Sequence, residues 1–498
     1  MSTMPAEDSP KDVEESIHDV EKQSKSLSDL GHDDLNNDPY EVILEPSEDP
    51  LNLSTFRKWL AVLIISAGSL CVTSMSSIAA FTEVAVENEF NVSHTVSILA
   101  ISLFVEGLGI GPLFVGPLSE VYGRNPIYRA SFGLVFAFSW GVAFAPNITA
   151  YLIFRFLTGL SGAAFLSVAG GTVSDLFPHN KVANPMAVYT LSPFIGPVLG
   201  PLIGGFVNQN LYWRWTYRII LVWVFFQCLA IFLFVPETYT PVLIKQKAER
   251  LREVTGDPKY FAPLEKQGKS IFQAIAQSCY KPFELLIFER MALLLNIWTA
   301  LLLGILYLTF QAFPIIFGQL HGFNMQMTGL TFLGMGLGMI IGVSCQPLWN
   351  RHYALVRSKY DGIPPPETRL AMAKVGALLV PIGLYWLAFT TYRQVHWIVP
   401  IIASIPFGTG MFFVYTSVFT YLVTAYRPIA ASAMASNSAL RCTFAAAFPL
   451  FAPAMYRRLG TVGATALLAG LTTIMAPLPF IFSRIGARLR AKSRFAAR

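Results

Sequence analysis

The sequence predicts an all-α polytopic membrane protein in which twelve transmembrane helices form two six-helix bundles. Hydrophobic residues make up 54% of the chain and charged residues 13%, whereas a soluble domain carries about 25% charged residues. Twelve apolar runs approach the roughly 20 residues that a helix needs to cross the hydrocarbon core of a bilayer. A polar segment separates the first six runs from the last six. Most of the chain is therefore predicted to lie where charged side chains are costly.

The apolar runs give the order of the spans. The predicted spans are 59–81, 95–117, 128–146, 150–172, 185–207, 217–235, 290–313, 326–348, 371–391, 397–420, 429–453 and 462–483. They define a first bundle in residues 58–235, a central link in 236–289 and a second bundle in 290–483. Two six-span halves are a common plan among secondary transporters.

The two tails differ from the spans and from each other. Residues 1–57 hold 15 of the 30 acidic residues and only four basic ones, so we expect a disordered acidic tail. Residues 484–498 hold six Lys or Arg, and nine more lie between Lys245 and Arg290. Because basic residues concentrate in cytoplasmic segments, the central link and both termini are predicted to be cytoplasmic. No cleavable signal opens the chain, so the first span is expected to direct insertion into the cell membrane.

Two N-glycosylation sequons fit this topology. Asn91 begins N-V-S after the first span, and Asn147 begins N-I-T after the third span. Both fall on the predicted outer face, where sequons are modified. Asn91 and Asn147 are therefore predicted glycosylation sites.

Metal, nucleotide and redox chemistry are not indicated. The five cysteines show no C-x-x-C spacing, and four lie inside predicted spans, where they suit packing. Residues 263–270 end like a phosphate-binding loop but carry Pro where its first Gly is required. We expect no cofactor, no metal ion and no nucleic-acid partner, and transport driven directly by ATP is not expected.

The link between the second and third spans carries a compact motif. Residues 116–126 read G-P-L-S-E-V-Y-G-R-N-P, in which Gly and Pro favour a tight turn. Glu120 and Arg124 place opposite charges where the chain leaves the hydrocarbon. Asp175 lies at the cytoplasmic end of the fourth span, on the same side of the membrane. These charges are predicted either to form a latch or to remain solvated independently. The predicted latch residues are Gly116, Glu120, Gly123, Arg124 and Asp175.

Two charged residues lie inside spans of the first half. Arg155 is expected to face a partner or a water-filled cavity, because an Arg in hydrocarbon costs several kcal/mol; the alternative is a side chain that reaches the outer interface. Glu106 is the one acid clearly inside a span and is predicted to bind the coupling proton. The alternative for Glu106 is a permanently protonated side chain bonded to a neighbouring helix.

The fifth span combines three prolines and four glycines in residues 191–205. Prolines remove backbone hydrogen bonds, so we expect kinks in this helix, tolerated where neighbours or water satisfy the carbonyls. The predicted motif residues are Gly196, Pro197, Gly200, Pro201, Gly204 and Gly205.

These motifs resemble those of the major facilitator superfamily. Residues 116–126 are similar to its loop signature, although Asn125 and Pro126 stand where members often carry a second basic residue. Arg155 with Gly159 resembles the R-x-x-x-G signature of proton-coupled members. The fifth-span motif resembles the antiporter signature of drug:proton exchangers, and residues 174–178 and 236–239 look like the fungal drug and polyamine branch. The resemblance, over roughly residues 55–485, implies the major facilitator fold and proton-coupled export of small organic compounds such as drugs, secondary metabolites, organic acids or polyamines.

A substrate cavity is predicted between the halves. Arg441 and Arg155 give two buried cations against one buried acid, which favours a neutral or anionic substrate over a polyamine; the alternative is that the two arginines pair with backbone groups or water. Aromatic side chains in the seventh and tenth spans are expected to line the cavity or to pack against lipid. The predicted cavity residues are Tyr307, Gln311, Phe412, Tyr415, Asn437 and Arg441.

Two other classes of protein compete with the transporter hypothesis. A multispanning membrane enzyme would need His clusters inside the membrane, but all seven histidines fall in tails or links. A channel or a sensor that transports nothing would not need Glu106 to bind protons. The transporter hypothesis implies protons, a small-molecule substrate and the lipid bilayer as partners, and a monomer is the default.

Overall fold

The computed structural model describes residues 40–178, 181–266, 271–360, 364–426, 429–491, 493 and 495. Across these ranges the chain forms helices and no strand; a single isolated bridge joins Glu41 to Phe261. The prediction of an all-α fold is confirmed.

Most of the spans are directly recognisable as long apolar helices. In the described ranges, nine helices are long and apolar enough to cross a membrane, and a bent pair of helices makes a tenth. The bent pair is His94–Ile110 with Pro112–Tyr122. The nine are Thr55–Phe81, Ile148–Leu176, Asn184–Asn210, Arg214–Phe234, Arg290–Leu320, Met325–Arg357, Pro366–Ala388, Ile398–Ala425 and Ala430–Ala491.

Two further features account for the remaining predicted spans. The segment Ala430–Ala491 is 62 residues long and covers the last two predicted spans; its backbone leaves the helical region at Gly460, where φ is +69°. The third predicted span corresponds to the helix Arg124–Ala143, whose two arginines and two serines reduce its apolar character. Each predicted span is therefore occupied by a helix, and we number the spans one to twelve in chain order.

The second span is a bent helix that runs beyond its predicted end at residue 117. It bends by 40° between Ile110 and Pro112, because Pro112 lacks the N–H that would continue the first segment. The second segment runs on to Tyr122 with Pro117 inside it. The predicted turn over residues 116–126 was therefore too long: only Gly123, with φ +98°, leaves the helical region before Arg124 starts the next helix.

The fifth span is also more regular than expected. Its helix Ala183–Asn210 continues through Pro193, Pro197 and Pro201. Because these prolines recur every four residues, they share one face of the helix. The backbone hydrogen bonds that they remove lie along that face. The expected kinks do not interrupt the helix.

The two halves meet along two seams. Span two packs against span eleven, and span five packs against span eight. Within the first half, span one packs on span five and span two on span four; within the second half, span seven packs on span eleven and span ten on span nine. We call the end where spans one, five and seven terminate the outer end, because it is predicted to face outside. The opposite end, which carries Gly123, is the inner end.

A small separate unit is formed by residues 40–45 and 243–266. Val42 donates its backbone N–H to the Phe261 carbonyl at 3.1 Å, and Arg252 forms an ion pair with Glu265 at 2.8 Å. Residues 1–39 of the predicted acidic tail lie outside the described residues. The prediction of disorder was wrong for the last part of the tail, because residues 40–45 pair with the link and a helical turn forms at Pro50–Asn52.

Candidate functional site

Arg155 is a buried cation in the middle of the first half. Its side chain is 1% exposed. Its Nε donates to the Ala100 carbonyl and its Nη1 to the Met75 carbonyl, each at 2.9 Å, while Nη2 donates to the Ser76 carbonyl at 3.4 Å. The guanidinium also lies 4.4 Å from the centre of the Phe104 ring. Among the described residues no carboxylate forms an ion pair with Arg155, so backbone carbonyls of spans one and two satisfy it and tie three spans together.

One side chain carries this network across to the second half. Ser76, whose carbonyl accepts from Arg155, places its Oγ 2.6 Å from the Tyr307 hydroxyl on span seven. Tyr307 is 3% exposed. A hydrogen-bonded path therefore runs from the buried cation of one half to a predicted cavity residue of the other.

The structure does not bring Glu106 to Arg155. Glu106 is half-buried, and its carboxylate accepts from the Thr443 hydroxyl at 3.2 Å, across the seam between spans two and eleven. Leu103 and Ile110, one turn before and after it, are also partly exposed and share its face. Glu106 thus lies at the edge of the seam, on an apolar face of span two.

Gln311, a predicted cavity residue, binds an acid that the sequence analysis missed. Its Nε2 donates to both carboxylate oxygens of Glu83, at 2.7 and 2.9 Å. Glu83 begins the short helix Glu83–Phe90, directly after span one, and is 5% exposed. Glu83 lies beyond the predicted end of the first span. The sequence offers one weak signal of its burial, the apolar Val86 three residues on, which is 1% exposed and shares the buried face; one apolar residue does not single out Glu83.

The predicted latch is formed in part. Arg124 and Asp175 make an ion pair, with Nε 3.2 Å from Oδ2, and Arg124 Nη1 donates to Ser119 Oγ at 2.7 Å. Glu120 is exposed and makes no ion pair among the described residues. A Cβ added to Gly116 would meet nothing within 4 Å. Two of the five predicted latch residues therefore contact each other directly.

Glu237 completes this cluster, and its role there was not predicted. Its carboxylate accepts from the backbone N–H groups of Arg124 and Asn125 at 2.9 and 3.0 Å. An anion at the start of a helix satisfies free N–H groups and interacts favourably with the helix dipole. A Cβ on Gly123 would overlap this carboxylate, so glycine is required there both for space and for its positive φ. Glu237 anchors the end of span six to the start of span three.

The glycines of span five let other helices approach closely. A Cβ on Gly196 would overlap the Thr73 hydroxyl, and a Cβ on Gly200 would lie 2.6 Å from the Ser74 carbonyl oxygen, both on span one. Gly204 is less crowded, with Ile78 at 3.1 Å. Gly205 faces the other half: its Cβ would lie 2.5 Å from the Met325 carbonyl oxygen on span eight. One motif thus supports packing within the first half and contact between the halves.

The aromatic residues of the predicted cavity pack together with one that was not predicted. Phe194 of span five stacks on Tyr415 with ring centres 5.0 Å apart and lies edge-on to Phe412 at 6.2 Å. The Tyr415 hydroxyl donates to the Thr299 carbonyl at 2.9 Å. Phe194, Phe412 and Tyr415 are buried. They form an aromatic contact between spans five and ten.

Asn437 and Arg441 lie one turn apart on span eleven beside this aromatic contact. The Asn437 amide donates to Asn296 and Thr299 at 3.0 and 2.8 Å, and the Arg441 guanidinium lies 5.0 Å from the Phe419 ring. Asn437 Oδ1 and Arg441 Nε find no hydrogen-bond partner among the described residues. No ion pair with an acid forms at Arg441 in the described part of the chain. A buried acceptor and a cation therefore remain available at neighbouring positions.

Both predicted glycosylation sites are exposed at the outer end. Asn91 ends the helix Glu83–Phe90 with φ +52°, and the Asn147 side chain accepts from the Ala150 N–H at 2.9 Å, capping span four. Their glycosylation remains a prediction. Within the described ranges, no group of three His, Cys, Asp or Glu is placed to hold a metal ion.

Comparison with known proteins gives consistent results. The sequence profile of the Major Facilitator Superfamily matches residues 63–449. The chain is 52% identical to the efflux pump atB of Aspergillus terreus, over 78% of this chain and 83% of that protein. It is 41% identical to the probable drug/proton antiporter YHK8 of Saccharomyces cerevisiae, over 92% of this chain and 89% of that protein.

A solved structure shares the fold. The xylose transporter XylE from E. coli, in a partially occluded inward-open conformation, aligns with a TM-score of 0.61 and 15% identity. The alignment covers 86% of this chain and 98% of that chain. At this identity the likeness concerns the fold alone.

Proposed function

The chain belongs to the major facilitator superfamily, a family of membrane transporters and not of enzymes, and on this premise we propose that it is a proton-coupled antiporter that exports small organic compounds. The proposal is supported by relatives whose names describe efflux and drug/proton antiport. Substrates of the drug, secondary-metabolite or organic-acid class fit the mixture of aromatic and polar groups between the halves.

The observation that carries the proposal is the path from Arg155 through Ser76 to Tyr307. A transporter that alternates between inward and outward access must couple an event in one half to the position of the other. Arg155 holds spans one, two and four through three carbonyls, and Ser76 continues to span seven at 2.6 Å. We assign Arg155 the role of linking proton binding in the first half to movement of the second.

Glu106 is proposed to carry the coupling proton across a moving contact. Its bond to Thr443 at 3.2 Å crosses the seam between spans two and eleven, and the seam must slide or open as the halves rock. Protonation removes the negative charge of Glu106 and lets its carboxyl group donate a hydrogen bond, whereas the ionised group can only accept them. At the inner end, the ion pair of Arg124 with Asp175, anchored by Glu237, is proposed to act as the conformational latch.

The substrate is proposed to be neutral or anionic. Among the residues that the structure describes, Arg441 offers a cation with no acidic partner, and Asn437, one turn away, offers an acceptor without a hydrogen bond. A polyamine would bring further positive charge to Arg441, which is unfavourable where water is scarce. Arg441→Gln is expected to impair export of an organic anion more than export of a neutral compound.

The distribution of charge supports a topology. We propose that both termini are cytoplasmic, because the basic residues of the central link and the C-terminal segment fit the cytoplasmic face. A plasma-membrane location and a monomeric state are proposed as the default. Glycan attachment at Asn91 and Asn147 would place the outer end outside the cell.

Export from cells tests the function. Efflux of fluorescein, of a neutral azole and of spermine is measured in cells with and without the gene, and again with Glu106→Gln and Arg155→Ala. We expect gradient-driven export to be lost in both variants while the protein remains at the membrane. The matched control is Glu249→Gln, which removes an exposed acid of the link and should leave export intact. Export that persists after collapse of the pH gradient would contradict the proposal.

A further inference from the structure

The outer end of the bundle contains a buried acid, Glu83, whose side-chain hydrogen bonds within the described ranges come from a neutral amide. The Glu83 carboxylate is 5% exposed and accepts from the Gln311 amide at 2.7 and 2.9 Å. Within the described ranges, no Lys, Arg or His forms an ion pair with it. An ionised carboxylate removed from water without a cation is costly, whereas a protonated one costs much less.

The bond between Glu83 and Gln311 joins the two halves. Glu83 follows span one and Gln311 lies on span seven, one turn beyond Tyr307, which bonds Ser76. Aromatic rings close the same region: Phe81 lies 6.4 Å from Phe332 of span eight. Glu83 is therefore buried by the contact between the halves, and parting of the outer ends would expose it to external water.

We propose that Glu83 is a proton-binding site of the outer gate, which external protons occupy to favour closure of the outer end. The carboxamide of Gln311 can donate to the ionised carboxylate and, through its oxygen, accept from the protonated one. Gln311 can therefore hold Glu83 in the closed state after the proton has bound. The inference rests on the proposed antiporter function and adds the step that returns the emptied transporter to its inward-facing state.

The direction of the pH effect follows from burial. Burial raises the pKa of Glu83 to about 8, opposed by the hydrogen bond from Gln311 and assisted by the nearby Glu87 carboxylate. In the parted state the carboxyl is hydrated and regains a pKa near its ordinary value of roughly 4.3. Between these two values the closed state binds a proton that the parted state does not, so closure is favoured as external pH falls and is lost as pH rises towards 8.

Other titratable groups surround the site without neutralising it. They lie on its own helix, at the start of span two, on spans four and six, and on span seven: Glu87, Glu89, His94, Tyr151, Arg214, Tyr217 and Tyr307. Glu87 and Glu89 are already engaged by His94 and Arg214 at 2.5 and 2.6 Å. His94 and Arg214 are thus committed to other acids, and Arg155, 5.9 Å from the Tyr217 ring, is held by backbone carbonyls.

A distance measurement across the outer end tests the proposal. Spin labels are placed on Asn210→Cys and Gln394→Cys, exposed at the outer ends of the two halves, in a background whose five cysteines are replaced by serine or alanine. The full-length protein is reconstituted in nanodiscs, and the ratio of closed to parted populations is measured from pH 8 to pH 5. We expect this ratio to rise at least about tenfold in the wild type.

Variants of the same helix provide the contrast. Glu83→Gln mimics the protonated side chain and should keep the closed population high at every pH. Glu87→Gln removes the acid one turn later and should retain the pH dependence. The inference is overturned if Glu83→Gln shows the wild-type pH dependence. Should that variant fail to fold, the wild type decides alone, because a ratio that is unchanged between pH 8 and pH 5 overturns it too.

The two proposals can fail independently. Closure that depends on pH in a protein that exchanges no substrate for protons would support the Glu83 site and refute the antiporter proposal. Exchange of substrate for protons without pH-dependent closure would support the antiporter proposal and refute the Glu83 site.

Discussion

Gly205→Ala is expected to weaken closure of the outer end without unfolding either half. A Cβ at this position would lie 2.5 Å from the Met325 carbonyl oxygen, about 0.9 Å closer than the 3.4 Å at which ordinary contact begins. The Met325 carbonyl is part of the span-eight backbone and cannot change rotamer as a flexible side chain can. Spans five and eight must therefore separate to accommodate the methyl group. Overpacking of this kind costs about 1–3 kcal/mol, which corresponds to a shift of roughly 5- to 150-fold between closed and parted states.

The adjacent glycine supplies a matched control. Gly204→Ala adds the same methyl group to the same helix, but its Cβ contacts Ile78 and Phe81 of the first half at 3.1 and 3.2 Å. The label pair at the outer end should therefore report more of the parted state for Gly205→Ala and little change for Gly204→Ala. Equal populations in both variants, with thermal stability unchanged, would refute the assignment of Gly205 to contact between the halves.

Three further changes test other parts of the structure. Gly200→Ala should lower the free energy of unfolding of the purified protein by about 1–3 kcal/mol, because its Cβ would lie 2.6 Å from a span-one carbonyl oxygen. The control Gly133→Ala should be neutral, because its Cβ would meet no described atom within 4 Å. Equal stability of the two variants would contradict the packing argument. Glu237→Gln should cost ~1–2 kcal/mol through weaker capping of span three, and an unchanged melting temperature would reject that role. The hydrogen bond from Arg252 lowers the pKa of Glu265 to about 2, so its contribution to the stability of the small unit is present above the ordinary pKa and should fade as pH falls from about 4.3 towards 2. The protection factors of backbone amides in residues 260–265, which correct for the intrinsic pH dependence of hydrogen exchange, should fall over that range, and constant protection factors would contradict it.

Apolar run length was sufficient to predict the helices because the bilayer imposes both a minimum length and an internal hydrogen-bonding rule. It could not resolve how helices bend or end. Pro117 looked like part of a turn but lies inside a helix, and the actual bend is at Pro112. A single glycine, Gly123, makes the turn that the motif suggested for eleven residues. These outcomes depend on neighbouring helices, which a single sequence does not display.

The sequence predicted some contacts of the site and missed others, because these contacts also depend on neighbouring helices. The contact of Arg124 with Asp175 could be expected, because both residues lie at the inner ends of their spans. Glu83 could not be singled out, since its burial depends on Gln311 in the other half, 228 positions away. Glu106 was chosen because it lies within an apolar run, but the sequence did not reveal which face of span two it occupies.

Proton-coupled export is tested by recording substrate and proton movement simultaneously in vesicles that contain the purified protein. With less fluorescein inside than outside, an acid exterior and a pH-sensitive dye trapped in the lumen, we predict that fluorescein leaves against its gradient while protons enter, and that Arg155→Ala abolishes both fluxes. Fluorescein export with no proton entry, or proton movement in the same direction as fluorescein, would contradict proton-coupled antiport.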